Sequence, residues 1–577
     1  MTLFTLARAG ALLAVSCVAA DTAFARSPAG SVDVYRLNLT VDSSLGRLDG
    51  RLVLQYRNVS TKPIASVQFR LDPNLSKGLS MEILAVEEPS GRTLRWSLKP
   101  LAFGTLNSDA GALEVTLPGP LPPGAETKLV MRFRGSGKNI GPDMLMLQDD
   151  PYPSLDAWYP KAMTPRDGSW SIDDDRLADY DVTLTLPAAF TVASTGRRAG
   201  DPTATGDHRE WRLRATEVRG FTVFASRAWQ RHARDGGRVA LAVYLPSDAE
   251  SYASRFLDTA ADAIAFYEKE YGPYPATHLD IVGVGSMSDS AQGGSTDCNL
   301  IVVFLGTGLE QQYRFLIAHE VAHQYFSVRI GSPRDSIGWV PVGLGLMMDE
   351  HYAVARGFDA DWGRRMRGNY IRAEQMHFDT TLSQSVQGPL KSPAPWSFGW
   401  NMALTHGKAY AVCAMLRDLM GPARFQDVVR TIIRQRSGGI VREADLITAA
   451  EAVMGQKLDW FVADWIDGRA TFDYGIRSVV KSDDGWTVEV DRIGTGSFPA
   501  KVELTTEEGQ VIVQRVDRTK PADVLRFKTS GKVRSVRLNP ENVYPDLNPS
   551  DDVWPRAASG VSAAPSSPAP IPASPAS

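Results

Sequence analysis

Two histidines four positions apart, in His319-Glu320-Val321-Ala322-His323, are the residues whose types and spacing carry chemistry in this chain. On a helix, positions i and i+4 share a face, so two imidazoles can grip one zinc ion. Glu320, beside them, is placed to act as a general base: in zinc peptidases such a carboxylate takes a proton from metal-acidified water and later delivers it to the leaving amine. The motif is short, and its bland alternative is a pair of satisfied histidines on a helix surface with an ordinary exposed acid between them. Catalytic zinc sites use three protein ligands and leave the fourth position to water, so a third donor must come from another element.

The elements that must position this motif change character along the chain. From about residue 31 to 230 apolar residues alternate with period two, as in Tyr35, Leu37, Leu39 and Val41, in Leu52, Leu54 and Tyr56, and in Tyr180, Val182, Leu184 and Leu186. Clusters such as Pro118-Gly119-Pro120 and Pro122-Pro123-Gly124 punctuate the runs. This pattern predicts a large, mostly antiparallel β domain over 26–230. Near residue 250 the period becomes helical in Phe256, Ala260, Ile264 and Tyr267, and Gly272-Pro273 stops that helix. A helix-rich chemical domain is expected over 231–475, with the histidine motif on a helix from Gln311 to Ser327. Alternation returns in Trp486, Val488 and Val490 and ends near Val536 and Leu538, predicting a small β domain over 476–550. The remainder, 551–577, is rich in Pro, Ala and Ser and cannot bury enough apolar surface to order itself. The fold class expected is multidomain α+β.

Composition bounds the function. At 577 residues the chain is too long for one hydrophobic core. Hydrophobic residues make up 43%, charged residues 22%, and the net charge of −4 with no basic tract gives no sign of a nucleic-acid partner. Arg8, the apolar run Ala9 to Ala20 and Ala23-Phe24-Ala25 read as a signal peptide over 1–25, which predicts an exported protein, periplasmic or secreted. Cys17 is a weaker candidate for lipid anchoring, because Ala14-Val15-Ser16 before it matches the lipoprotein pattern poorly. The mature chain keeps Cys298 and Cys413, too few for a disulfide framework, and no later apolar stretch is long enough to span a bilayer.

Taken together, these residues resemble the aminopeptidase N (alanyl aminopeptidase) family of gluzincin zinc metallopeptidases. Asp156-Ala157-Trp158-Tyr159-Pro160 and Tyr180 to Pro187 are similar to its N-terminal β domain. Tyr271-Gly272-Pro273-Tyr274-Pro275 is similar to the start of its thermolysin-like catalytic domain, and His319 to Phe326 to its zinc helix. The resemblance implies one zinc ion held by His319 and His323, Glu320 as catalytic base, and peptides or protein N-termini as partners. It also exposes three departures. The family's third ligand, a glutamate nineteen residues after the second histidine, falls on Val342 within Trp339-Val340-Pro341-Val342-Gly343. The strand motif that captures the substrate amine reads Gly293-Gly294-Ser295-Thr296-Asp297, so Gly294 and Thr296 are the substrate-binding positions, with Thr296 where a glutamate belongs. Asp297 would aim away from the cleft, since adjacent strand residues point to opposite faces. The family's oxyanion-steadying tyrosine falls on His406, with Tyr410 one turn away.

Two readings follow from the residues. One is an exported metallopeptidase homologue whose cleft accepts peptides while hydrolysis is weakened or altered, His406 either lining the cleft or supplying a third nitrogen. The other is a catalytically silent peptide-binding or protein-interaction module. Asp349 and Glu350 lie about 10 to 12 Å along a helix from Val342, too far to replace the missing ligand, and are expected to be solvated or to sit behind the ligands.

Overall fold

A computed structural model describes residues 33–556, apart from 104–105, 150–155, 167, 174–175, 235–236, 290–292, 359–360 and 385–401. The signal-peptide stretch 1–25 with Cys17, and the Pro/Ala/Ser tail beyond 556, lie outside the described residues. The molecule is multidomain α+β, with β sheets first, a helical region next and β sheets last.

The N-terminal part is built on an eight-stranded sheet. Its main strands are β1 (Asp33–Asp42), β2 (Arg47–Arg57), β3 (Leu79–Glu87), β4 (Glu126–Gly137), β5 (Ala178–Pro187) and β6 (His208–Val218), in spatial order β6-β5-β1-β2-β4-β3. Tyr35, Leu37, Leu39 and Val41 of β1 are buried while their neighbours face outward, the alternation that a one-sided sheet requires. The mostly antiparallel expectation has one exception: β1 pairs β5 in parallel, Tyr35 opposite Tyr180 and Leu39 opposite Leu184. A long connection carries the chain back to that edge, and local patterning does not encode strand direction.

A second sheet, of β7 (Gln230–Arg234), β8 (Ala240–Leu245), β9 (His278–Gly285), β10 (Gly294–Asp297) and β11 (Leu300–Leu305), opens the helical region in the order β7-β8-β9-β11-β10. Helix α1 (Ala253–Tyr271) buries Phe256, Ala260, Ile264 and Tyr267 against it. Gly272, at φ +109°, ends the helix in a conformation that side chains resist. Helix α2 (Leu309–His323) carries the histidine motif and packs on α1 and α3 (Trp339–Ala355).

The motif helix is shorter than expected at its C-terminal end. It stops at His323 rather than Ser327, because Ser327 takes φ +78° and the amides of Val328, Arg329 and Ile330 reach back five residues to His323, Gln324 and Tyr325. This wider turn is a departure of the kind that gathers at functional sites. Beyond α4 (Asp361–Gln375), residues Met402–Lys408 form a π-helical turn that runs into α5 (Ala409–Met420).

The C-terminal sheets comprise Tyr474–Ser482, Gly485–Arg492 and Ala522–Phe527 in one, and Lys501–Thr506, Val511–Arg515, Val533–Leu538 and Val553–Trp554 in the other. Packed chain therefore extends to Trp554. Cys298 and Cys413 are buried free thiols. Among the described residues no helix is long and apolar enough to cross a membrane.

Candidate metal centre and cleft

Helix α2 brings the Nε2 atoms of His319 and His323 to 3.1 Å, with the rings nearly perpendicular at 86°. His323 Nδ1 is within hydrogen-bond reach of Ser327 Oγ at 3.3 Å, while His319 Nδ1 lies 3.4 Å from Asp349 Oδ2 without making a hydrogen bond to it. Backing of the kind Ser327 gives orients histidines that bind metals through the far nitrogen. Burial drives the His319 imidazole down to about 4 and, together with the charge of His319, holds His323 well below its usual value, so both rings are neutral.

Asp349 is almost fully buried, so of the two sequence readings for this residue the solvated one is set aside. It reaches His319 from α3. Glu350 instead points to Arg417, which donates to its carboxylate at 2.9 and 3.2 Å.

The same helix shows where Val342 faces. Positions 342, 345 and 349 are separated by three and four residues and share a face. A Cβ at Gly345 would touch the His323 ring at 3.4 Å, while Asp349 meets His319. Val342, buried at 3% exposure, lies two turns before Asp349 on that face.

Glu320 is buried beside the pair. Burial, then the charges of Asp349 and Asp297, push its carboxyl up to about 8. Edge strand β10 crosses close to it: a Cβ at Gly294 would stand 2.8 Å from Glu320 Oε1 and 2.8 Å from the Val302 carbonyl oxygen. The carbonyl is backbone and cannot swing aside. Gly294→Ala is therefore expected to push β10 off the helix at a cost of about 1–3 kcal/mol, read as a lowered urea midpoint. An unchanged midpoint would show that the strand has room to spare.

Gln324, which follows the second histidine, fastens β10 to α2. Its Nε2 donates to Thr296 Oγ1 at 2.5 Å and to the Asp297 carbonyl at 2.8 Å, and its Oε1 accepts from the Asn299 amide at 3.0 Å. The Thr296 hydroxyl is thus engaged by the helix. Asp297 lies on the opposite face, buried among Asp156, Thr222 and Asp149, and burial followed by the charge of Asp156 raises its carboxyl to about 8.

His406 comes to the pair from the π-helical turn. Its ring centroid is 6.3 Å from that of His319, and its Nδ1 lies 2.9 Å from Thr405 Oγ1. Burial, then the two other histidines, pushes it down to about 3. Tyr410 is not brought in: its hydroxyl packs over Gly363 of α4, with Glu350, Arg367 and Arg417 as charged neighbours. Sequence reasoning missed Phe315, which stacks on His319 at 5.4 Å, and the Gln324 clamp. Phe315 does stand at i−4 from His319, a signal that was legible. Among the described residues no group of three or more histidine, cysteine or acidic side chains is arranged to hold a metal ion.

Residues 255–465 match the family model for the peptidase family M1 domain. The chain carries an M1 domain. Its sequence is 22% identical over 293 residues to Tricorn protease-interacting factor F2 of Thermoplasma acidophilum, covering 48% of this chain and 36% of that protein. It is 20% identical over 309 residues to Aminopeptidase M1-D of Oryza sativa subsp. japonica, covering 50% of this chain and 34% of that one. These alignments span about a third of the curated relatives' length. The M1 zinc metallopeptidase from Deinococcus radiodurans has a similar fold, with a TM-score of 0.54 at 17% identity, covering 74% of this chain and 91% of that one. The M1 family is zinc-dependent; among the described residues two imidazole nitrogens converge here, and Val342 lies buried on α3.

Proposed function

We propose that this M1 homologue is an exported protein whose cleft accepts peptides or protein N-termini and whose hydrolysis is weakened. The observation that carries the reading is the convergence of the His319 and His323 Nε2 atoms at 3.1 Å, with the buried Val342 at the chain position where the family has its third ligand. Two imidazoles do not complete a three-ligand set, so zinc, where bound, is held loosely. Glu320 is the acid–base group of this cleft, and Gly294 and Thr296 form its wall. Strand β10 supports peptide binding independently: among the described residues it pairs only with β11, leaving its outer edge open to an extended chain.

A second reading, a silent peptide-binding or interaction module, is favoured by the Thr296 hydroxyl, at the position of the family's amine-binding glutamate, being engaged by Gln324. Zinc analysis of the purified protein, combined with peptide cleavage and binding assays on Glu320→Gln, separates the two. The first predicts slow zinc-dependent cleavage lost in the variant. A folded, zinc-free protein that binds peptides equally well with Glu320→Gln selects the second, whereas turnover in the ordinary enzyme range of about 1–10³ s⁻¹ overturns the weakening itself. Within the same titration His406→Ala tests whether His406 supplies a third nitrogen; unchanged zinc affinity removes that role.

A further inference from the structure

A cavity of about 430 Å³ opens at the seam between the N-terminal sheet and the helical region. Its walls come from β6, from the residues leading into β9, from the turn between β10 and β11, and from the wide turn after α2. Pockets of about 300–1,000 Å³ at domain seams are typical of small-molecule sites. His319, His323, Glu320 and His406 do not line it. Gln324, whose carboxamide holds Thr296, does form part of the wall, so the cavity reaches the clamp on β10.

The lining is cationic. Among the described residues it holds four arginines and one acid, Glu217, whose Oε2 already lies 3.3 Å from Arg329 Nη2. Arg219 is buried and donates from Nε to the Val328 carbonyl at 2.8 Å and from Nη2 to the Arg329 carbonyl at 3.1 Å. The other two arginines face each other: Arg197, on the short strand Arg197–Arg198, is the cross-strand partner of Arg214 on β6. Facing side chains of antiparallel strands start about 4.5–5.5 Å apart at Cβ, and like charges there repel. Asp181 Oδ2, 3.5 Å from Arg214, answers one of the two charges. Arg197 has no hydrogen bond or ion pair with any described residue. Beside them His278 lines the cavity at 7% exposure, and its Nε2 is buried without a hydrogen-bond partner. Burial, with the Arg197 charge adding to it, drives this imidazole down to about 4, so the ring is neutral and keeps one N–H. An unanswered guanidinium within reach of an unsatisfied buried ring is costly in the protein alone, and an anion at the same place relieves both.

We propose that this cavity binds a small sugar or polyol phosphate, with Arg197 and Arg214 gripping the phosphate and the cavity wall holding the hydroxyl-bearing body. The planar guanidinium fork matches phosphate oxygens two at a time. A phosphate monoester carries a charge of about −1.5 to −2 near pH 7 and three acceptor oxygens, which answers two facing guanidinium groups, whereas a lone carboxylate answers one. The cavity is far larger than a bare anion needs, since a water molecule's share of liquid volume is about 30 Å³. Thr216 and Thr277 line it with hydroxyls that have no partner among the described residues, and these suit the hydroxyls of a sugar or polyol. No phenylalanine, tyrosine or tryptophan is among the described lining residues, so the wall lacks the platform on which a nucleotide base stacks.

The test is calorimetric titration of the full chain with glucose 6-phosphate, with glucose and inorganic phosphate as separate probes and melting curves alongside. One site per chain is expected for glucose 6-phosphate, with weaker binding of inorganic phosphate and none of glucose. Arg197→Gln should weaken binding at least about tenfold, the loss expected when a charge-assisted fork is removed. Without ligand this variant should melt no lower than the unsubstituted chain, because one of two facing like charges is gone; an arginine with a merely structural role would lower the melting point. With glucose 6-phosphate present the unsubstituted chain should gain more stability than the variant. Arg214→Gln is expected to weaken binding in the same way. No heat and no melting shift up to about 10 mM glucose 6-phosphate, glucose or inorganic phosphate bound as tightly as the sugar phosphate, or an Arg197→Gln response equal to that of the unsubstituted chain would each overturn the assignment.

Discussion

Val342→Glu is expected to raise zinc affinity by at least about 100-fold, so that the purified variant keeps close to one zinc per chain. The reason is geometric. Val342 shares a helical face with Gly345, which abuts the His323 ring, and with Asp349, which backs His319. The resemblance to the family puts its third ligand at this position, so an acidic side chain here is the one expected to complete the set. Loss of a group behind a ligand typically costs about 10–100-fold in metal affinity, and gain of a ligand itself should exceed that. The substitution also has a cost, since an isolated carboxylate at a position now 3% exposed is strongly disfavoured. The variant should therefore melt below the unsubstituted chain in chelator and gain markedly more stability when zinc is added. Zinc titration with a competing chelator, together with melting curves, measures both effects. A folded variant that binds zinc no better than the unsubstituted chain would mean that Val342 does not face the pair, and the account of weakened hydrolysis would lose its main support.

Much of this centre was legible because it depends on local periodicity. Helical spacing alone puts His319 and His323 on one face, and strand alternation alone sends Asp297 away from Thr296; the structure shows both. Counting from His323 to Val342 needed only a family register. What could not be read depends on packing between elements distant in sequence. Asp349 was readable as an acid behind the site or in solvent, and only the docking of α3 on α2 brings it to His319. The Gln324 clamp needs the edge strand laid across the helix. Ser327 was placed inside the helix because nothing in a serine announces φ +78°. The parallel pairing of β1 with β5 joins segments whose patterns say nothing about each other.

The junction between the N-terminal sheets and the cleft is where a single substitution should cost most stability. Asp149 is fully buried and holds three donors: Lys161 Nζ at 2.6 Å, the Phe221 amide at 3.0 Å, and the Tyr159 hydroxyl. Lys161 is itself only 5% exposed. Removing the carboxylate takes an anionic partner from the buried Lys161 ammonium and an acceptor from two further buried donors, and breaking a buried pair from one side costs about 3–5 kcal/mol. Asp149→Ala is expected to lower stability by about that amount, seen as a large fall in the urea midpoint. Part of the loss is the Asp149 partner taken from Lys161, and the double-mutant cycle with Lys161→Met isolates that coupling. A loss below about 1 kcal/mol would show that water reaches Lys161 and compensates it. The effect should also reach the cleft. Asp149 adjoins Asp297, on the buried face of β10, and Thr296 beside it is held by Gln324. Loosening that face frees the strand that borders Glu320, so peptide binding should weaken together with stability, although Asp149 lies on the far side of β10 from the histidine pair.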